Sequence, residues 1–153
     1  MIDLLAELTT TAATSAFSTM ADCALTAQPA DALALNGERC VTSSVRYSGP
    51  VSGVLHLHAP GGLARRVSAT LMAEDHPDQV PDELVADTIG EFTNMVIAKI
   101  QSRLTDSGVP CVITPPSLEW HAHFTRQGTP GPGCRTLPFA CKHGQLVIEL
   151  ILT

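Results

Sequence analysis

The sequence has no basic run. Nine Lys and Arg stand against fifteen Asp and Glu in 153 residues, for a net charge of −6 and a pI near 5.4. Nucleic-acid binders need a basic patch to displace counterions, so this balance argues against a nucleic-acid partner. No stretch approaches the roughly 20 apolar residues of a membrane-spanning helix, so no membrane partner is expected. The opening MIDLLAELTTTAATSAF carries Asp3 and Glu7 where a signal peptide has basic residues. The five cysteines, Cys23, Cys40, Cys111, Cys134 and Cys141, are odd in number and widely spread, unlike a secreted disulfide framework. A reduced, cytoplasmic protein is expected. Metal motifs of the C-x₂-C or H-E-x-x-H type are missing. The glycine-rich PGG (60–62) and GPGC (131–134) lack the pattern of a phosphate loop and read as turns.

What is present is a chain that is 44% apolar and 16% charged, too hydrophobic for disorder and suited to one domain over 1–153. Residues 2 to about 22 read as a helix on three- and four-residue apolar steps (Ile2, Leu5, Ala12, Ala16, Met20). Residues 26–37 read as a linker or irregular edge. Residues 39–47 and 51–58 alternate as two strands of a hairpin across Ser48-Gly49-Pro50. A short helix carrying Leu63, Val67 and Leu71 follows, ending near Asp75. Pro81 then opens the clearest helix, PDELVADTIGEFTNMVIAKIQSRL, with Val85, Ile89, Phe92, Val96 and Ile100 on one stripe. Gly108-Val109-Pro110 ends it. Strands are expected at about 110–114, 118–126, 135–142 and 145–152, with Pro138 marking the third of them as an edge or a bulge.

At a spacing of 84, residues 6–22 align with residues 90–106: Glu7 falls on Glu91, Thr9 on Thr93, Met20 on Leu104 and Asp22 on Asp106. This reads either as a duplication or as a chance match at low identity.

Glu91 and Asn94 lie three positions apart on the polar side of the long helix, so their Cβ atoms stand about 5–6 Å apart. A carboxylate beside a carboxamide is poorly suited to nucleophilic attack. It suits a task in which Asn orients a water and Glu pairs with a cation. The same pair is also what an ordinary solvated helix face carries. Three details favour function. Asn has no capping role at this mid-helix position. Gly90 costs about 1 kcal/mol relative to Ala there and calls for a reason such as close approach of another chain. Leu84 and Met95 place apolar surface on the polar side, as a protein contact would.

The segment DTIGEFTNMVIAKIQSRLTDSGVPCVITPPSL resembles the signature helix of the CheX/CheC/FliY family, with its Gly-Glu-x-x-Asn-Met run, Gly-containing turn and strand ending in prolines. RTLPFACKHGQLVIELILT resembles the family's closing hairpin; the N-terminal half fits by layout. The resemblance implies an α/β (α+β) CheC-like duplicated fold, a largely antiparallel mixed sheet flanked by long helices. It implies a CheX-like phosphatase that hydrolyses the aspartyl phosphate of a CheY-like response regulator in chemotaxis or related two-component signalling. Glu91 and Asn94 would be catalytic, with Leu84, Asp87, Gly90, Met95 and Ala98 binding the partner. No cofactor of its own is expected, since Mg²⁺ would be held by the receiver. Thr10 stands where the first half would need Asn, so that site is expected to be dead. Homodimers are expected.

The rival readings are a non-catalytic module similar to the middle domain of flagellar-switch proteins, binding a regulator without hydrolysis, and an unrelated α/β domain. His56 and His58, and His121 and His123, each pair on one strand face with Cys134 and Cys141 downstream; partly exposed strand histidines are expected here rather than a metal site. Cys23, Cys40 and Cys111 read as small core residues, and Trp120 as an anchor on a sheet face.

Overall fold

The computed structural model describes residues 1–35 and 37–153. Asn36, inside the expected 26–37 linker, lies outside the described residues. Helix α1 spans Ile2–Ala21 and buries Leu5, Ala12, Ala13, Ala16 and Phe17. It ends at Asp22, whose left-handed backbone (φ 48) is one of the few that a non-glycine residue tolerates. Strand β1 is only Thr26–Ala27, followed by β2 (Cys40–Ser48) and β3 (Gly53–Pro60). Helix α2 (Gly61–Leu71) starts directly after Pro60, and the long helix α3 runs from Asp82 to Asp106. Strands β4 (Val112–Ile113), β5 (Ser117–His121), β6 (Cys134–Cys141) and β7 (Gly144–Leu152) complete the chain.

The seven strands form one sheet in the order β1-β6-β7-β3-β2-β4, with β5 also on β2. Every pairing is antiparallel, where a largely antiparallel mixed sheet was expected. Strand alternation sorts the side chains. Val41, Val45, Leu55, Leu57, Phe139, Leu146 and Ile148 join the core beneath the helices, while Thr42, His58 and Glu149 lie on the reverse face in register with one another's strands. The strand expected over 118–126 stops at His121, because residues 122–133 leave the ladder and fold over that reverse face.

On its outer side, among the described strands, β6 pairs with the two-residue β1. Pro138 directs its carbonyl outward to Gln28 N–H (3.0 Å), so its ring nitrogen also points outward. The missing N–H therefore takes nothing from the β6–β7 ladder.

The strand order reads the same from both ends when β1, β6 and β7 are exchanged with β4/β5, β2 and β3. A pseudo-two-fold axis thus passes between β7 and β3, with α1 and α3 packed together above it. The Lys99 ammonium donates to Ser15 Oγ at 2.9 Å, and the two residues are 84 apart. Equivalent positions of two copies can touch only on the axis, so this contact supports the duplicated register.

Candidate functional site

Helix α3 is long because its apolar stripe keeps finding partners. Val85, Ile89, Val96, Ile97 and Ile100 are all buried, and Phe92 stacks on Phe17 of α1 with centroids 4.2 Å apart and planes at 15°. Asp82 and Glu83 in its first turn and Arg103 in its last favour the helix dipole. Inside the helix the threonines close on themselves: Thr88 Oγ1 donates to Leu84 O at 2.8 Å and Thr93 Oγ1 to Ile89 O at 2.9 Å. Gln101 Nε2 donates to Cys111 O at 2.7 Å, tying the helix to the following strand region.

Glu91 is exposed and Asn94 half-buried, on the helix side turned away from the core. Among the described residues neither side chain has a hydrogen-bond or ion-pair partner, in contrast to Thr88, Thr93 and Gln101 beside them. Both groups are therefore free to engage another molecule while their backbone is held by packing. Asp87 and Ala98 are exposed and Leu84 is 43% exposed. Met95 is half-buried against the core, so only part of it is presented.

Gly90 corrects the sequence reading. It is buried, and a Cβ there would meet Leu118 Cδ2 at 3.1 Å and Pro116 Cγ at 3.6 Å. The close approach that its missing side chain allows is that of β5 of the same chain. Buried there, it turns little surface outward.

At the start of α3, Asp82 accepts hydrogen bonds from Arg65 and from Arg39, the latter at 3.0 Å. The Arg65 and Arg39 guanidiniums hold its carboxyl below the usual range. Arg39 lies 4.2 Å over the Trp120 ring, and Trp120 Nε1 donates to Asp82 O at 3.3 Å. Trp120 thus anchors β5 to α3. Its partners Arg39 and Arg65 carry no sequence signal, because they come from distant segments.

The reverse face holds a buried polar network. His58 is 1% exposed, not partly exposed as expected. Its Nδ1 pairs with Thr42 Oγ1 at 2.8 Å and its Nε2 with Glu149 Oε1 at 2.7 Å. Glu149 also accepts the backbone N–H groups of Gln127 (3.0 Å) and Gly128 (3.0 Å). Burial pushes the Glu149 carboxyl up, yet the bonds from His58, Gln127 and Gly128 outweigh it and hold the group below its ordinary range. His56 pairs with Ser44 Oγ at 2.6 Å, and burial lowers its pKa, with His58 adding to the effect. His123 lies beyond the end of β5, so it does not share a strand with His121. Among the described residues no three His, Cys, Asp or Glu side chains converge on a metal position. Cys23, Cys40 and Cys111 are buried and free. Burial drives the Cys23 thiol up to about 12 and the Cys40 thiol up to about 11, far from nucleophilic reactivity.

The first-half counterparts, Glu7 and Thr10, sit on α1 beside a groove of about 410 Å³ lined by Leu8, Ala12, Lys99 and Arg103. The register of 84 places Leu8 opposite Phe92 and Ala12 opposite Val96. Thr10 presents no carboxamide.

No helix is long and apolar enough to cross a membrane among the described residues. Curated proteins give no match to the sequence. In fold, the chain is similar to a chemotactic CheC-like protein from Shewanella oneidensis (22% identity, 100% of both chains, TM-score 0.81). It is also similar to chemotaxis protein CheX from Vibrio vulnificus (21% identity, 97% of this chain and 96% of that one, TM-score 0.80). A third likeness is to the CheX–CheY–BeF₃–Mg²⁺ complex from Borrelia burgdorferi (21% identity, 95% and 96% covered, TM-score 0.71). Residues 41–131, more than half of the chain, match the family described as chemotaxis phosphatase CheX; the chain belongs to that family.

Proposed function

We propose that this chain hydrolyses the aspartyl phosphate of a CheY-like response regulator, with Asn94 and Glu91 as the residues that act on it. The observation that carries the reading is the pair itself: an outward carboxylate and carboxamide, one turn apart on a helix fixed by packing, with no internal partners. A carboxamide can accept one hydrogen of a water and hold it in line with phosphorus. Glu91 pairs with the receiver's lysine, and Mg²⁺ belongs to the receiver. The catalysis is positioning, of the same kind as the water-orienting Gln of GTPases, and it requires no nucleophile from this chain. Leu84, Asp87 and Ala98 surround the pair with contact surface. A homodimer with both α3 faces open is compatible with this use.

The test is phosphate release from a panel of phosphorylated CheY-like receivers. The expected result is accelerated loss of phosphate from at least one receiver that the chain binds. Binding without acceleration from every receiver bound identifies the non-catalytic module instead.

A further inference from the structure

A cleft of about 350 Å³ separates the first turns of α3 from β5, lined by Asp82, Glu83, Ala86, Asp87, Leu118 and Trp120. Its floor is apolar and fixed: Trp120 is clamped by Arg39 and by its bond to Asp82 O, and Leu118 lies against Gly90. Its rim is acidic. Asp82 is already consumed by Arg39 and Arg65, but among the described residues Glu83 and Asp87 have no ion-pair partner and are exposed. With Glu91 set apart for the receiver's lysine, Asp82, Glu83 and Asp87 against Arg39 and Arg65 leave the cleft at a net −1.

The cleft is continuous with the candidate site. Asp87 and Asn94 are seven residues apart, nearly two full turns, so they share one flank of α3 about 10 Å apart. Glu83, Asp87 and Glu91 follow at four-residue steps on adjoining positions. Resting on the receiver reading above, we infer that this cleft is a specificity subsite that takes a second basic side chain of the same CheY-like receiver. The aliphatic stem of a Lys or Arg lies on Trp120 and Leu118, and its charged head lies between Glu83 and Asp87. The receivers served best then carry a cation on their surface about 10 Å from the phosphorylated aspartate, a distance set by the helical rise between Asp87 and Asn94. An apolar floor with an unpaired acidic rim fits a snorkelling cation better than it fits an acidic or purely apolar occupant.

The experiment titrates a CheY-like receiver, loaded with beryllofluoride and Mg²⁺ and bound by the wild-type chain, against Asp87→Lys, Glu83→Lys and the milder Asp87→Asn. Charge reversal is expected to weaken binding by about 10-fold or more, to flatten the dependence of affinity on salt, and to act on KM rather than on kcat. Asp87→Asn is expected to shift affinity in the same direction by less. Reversing the matching basic residue of the receiver restores affinity to the Lys variants. Unchanged affinity and salt dependence in both Lys variants, with melting temperatures equal to wild type, overturns the subsite. The Asn94→Ala variant joins the titration, and every variant is also assayed for turnover on the same receiver carrying phosphate in place of beryllofluoride. If it still releases phosphate at the wild-type rate, the hydrolytic reading falls, while the affinities of the Asp87 and Glu83 variants continue to judge the cleft.

Discussion

Asparagine in the middle of a helix costs a few tenths of a kcal/mol relative to good helix formers, and Asn94 recovers none of it through an internal bond. Glu91 is equally uncommitted. The two differ in what they are expected to contribute. Glu91 would meet a cation across an interface, so Glu91→Ala should weaken receiver binding by a few-fold to tenfold, most strongly at low salt. A binding titration at two ionic strengths checks this, and an unchanged affinity at both counts against the assignment. At this scale the sequence was readable where a residue's role is local. Glu91 and Asn94 lie outward because the stripe Val85, Ile89, Phe92 and Val96 dictates which side is buried. It was unreadable where the partner is remote. Alternation put His58 on a strand but could not reveal Glu149, 91 residues away, nor the loop that buries both. Gly90 was misread for the same reason. Its cost in the helix was evident, but the Leu118 side chain that fills its space belongs to another element.

Helix α3, β5 and the 122–133 segment work as a stack. Leu118 and Trp120 face α3, while Glu119 and His121 on the same strand line the reverse face beside Thr42 and His56. Gly90→Val would force β5 away from the helix. The expected cost is about 1–3 kcal/mol, as in other overpacked cores, and chemical denaturation measures it; an unaltered midpoint would mean that the α3–β5 contact is loose. The reverse face makes a pH prediction. His56 has a folded pKa below its usual value, so the unfolded chain takes up its proton first as pH falls through about 6.5, and folding weakens. Glu149 is held low in the folded state, so its stabilisation is present above the ordinary Glu range and disappears at still lower pH. Both shifts act in one direction. The denaturation midpoint should fall from pH 7.5 to pH 5.5, and His56→Gln should flatten that fall. A midpoint that rises on acidification contradicts the network. The hairpin of β2 and β3, the closing β6–β7 pair and α3 itself were all legible from period and turn residues, because each is specified within its own segment. The 122–133 segment was assigned in part to a strand because nothing local distinguishes a chain crossing over a polar face from one continuing along its edge.

Over the whole molecule, a weak internal match at 84 residues corresponds to a strand order symmetric about its centre and to one contact, Ser15 to Lys99, at equivalent positions. The two halves have not kept the same chemistry. At one end Phe92 and Phe17 stack and the Glu91–Asn94 pair stands outward. At the other, Leu8 and Ala12 line a groove and Thr10 stands in place of the carboxamide. On this account hydrolysis belongs to a single face, and that face depends on one side chain. The most direct measurement is therefore dephosphorylation of a bound CheY-like receiver by wild type and Asn94→Ala, with affinity measured in parallel. The account predicts a loss of about 10²-fold in kcat, the order seen when one positioned polar group is removed, at nearly unchanged affinity. Equal rates for the two proteins on a receiver that both bind would contradict it.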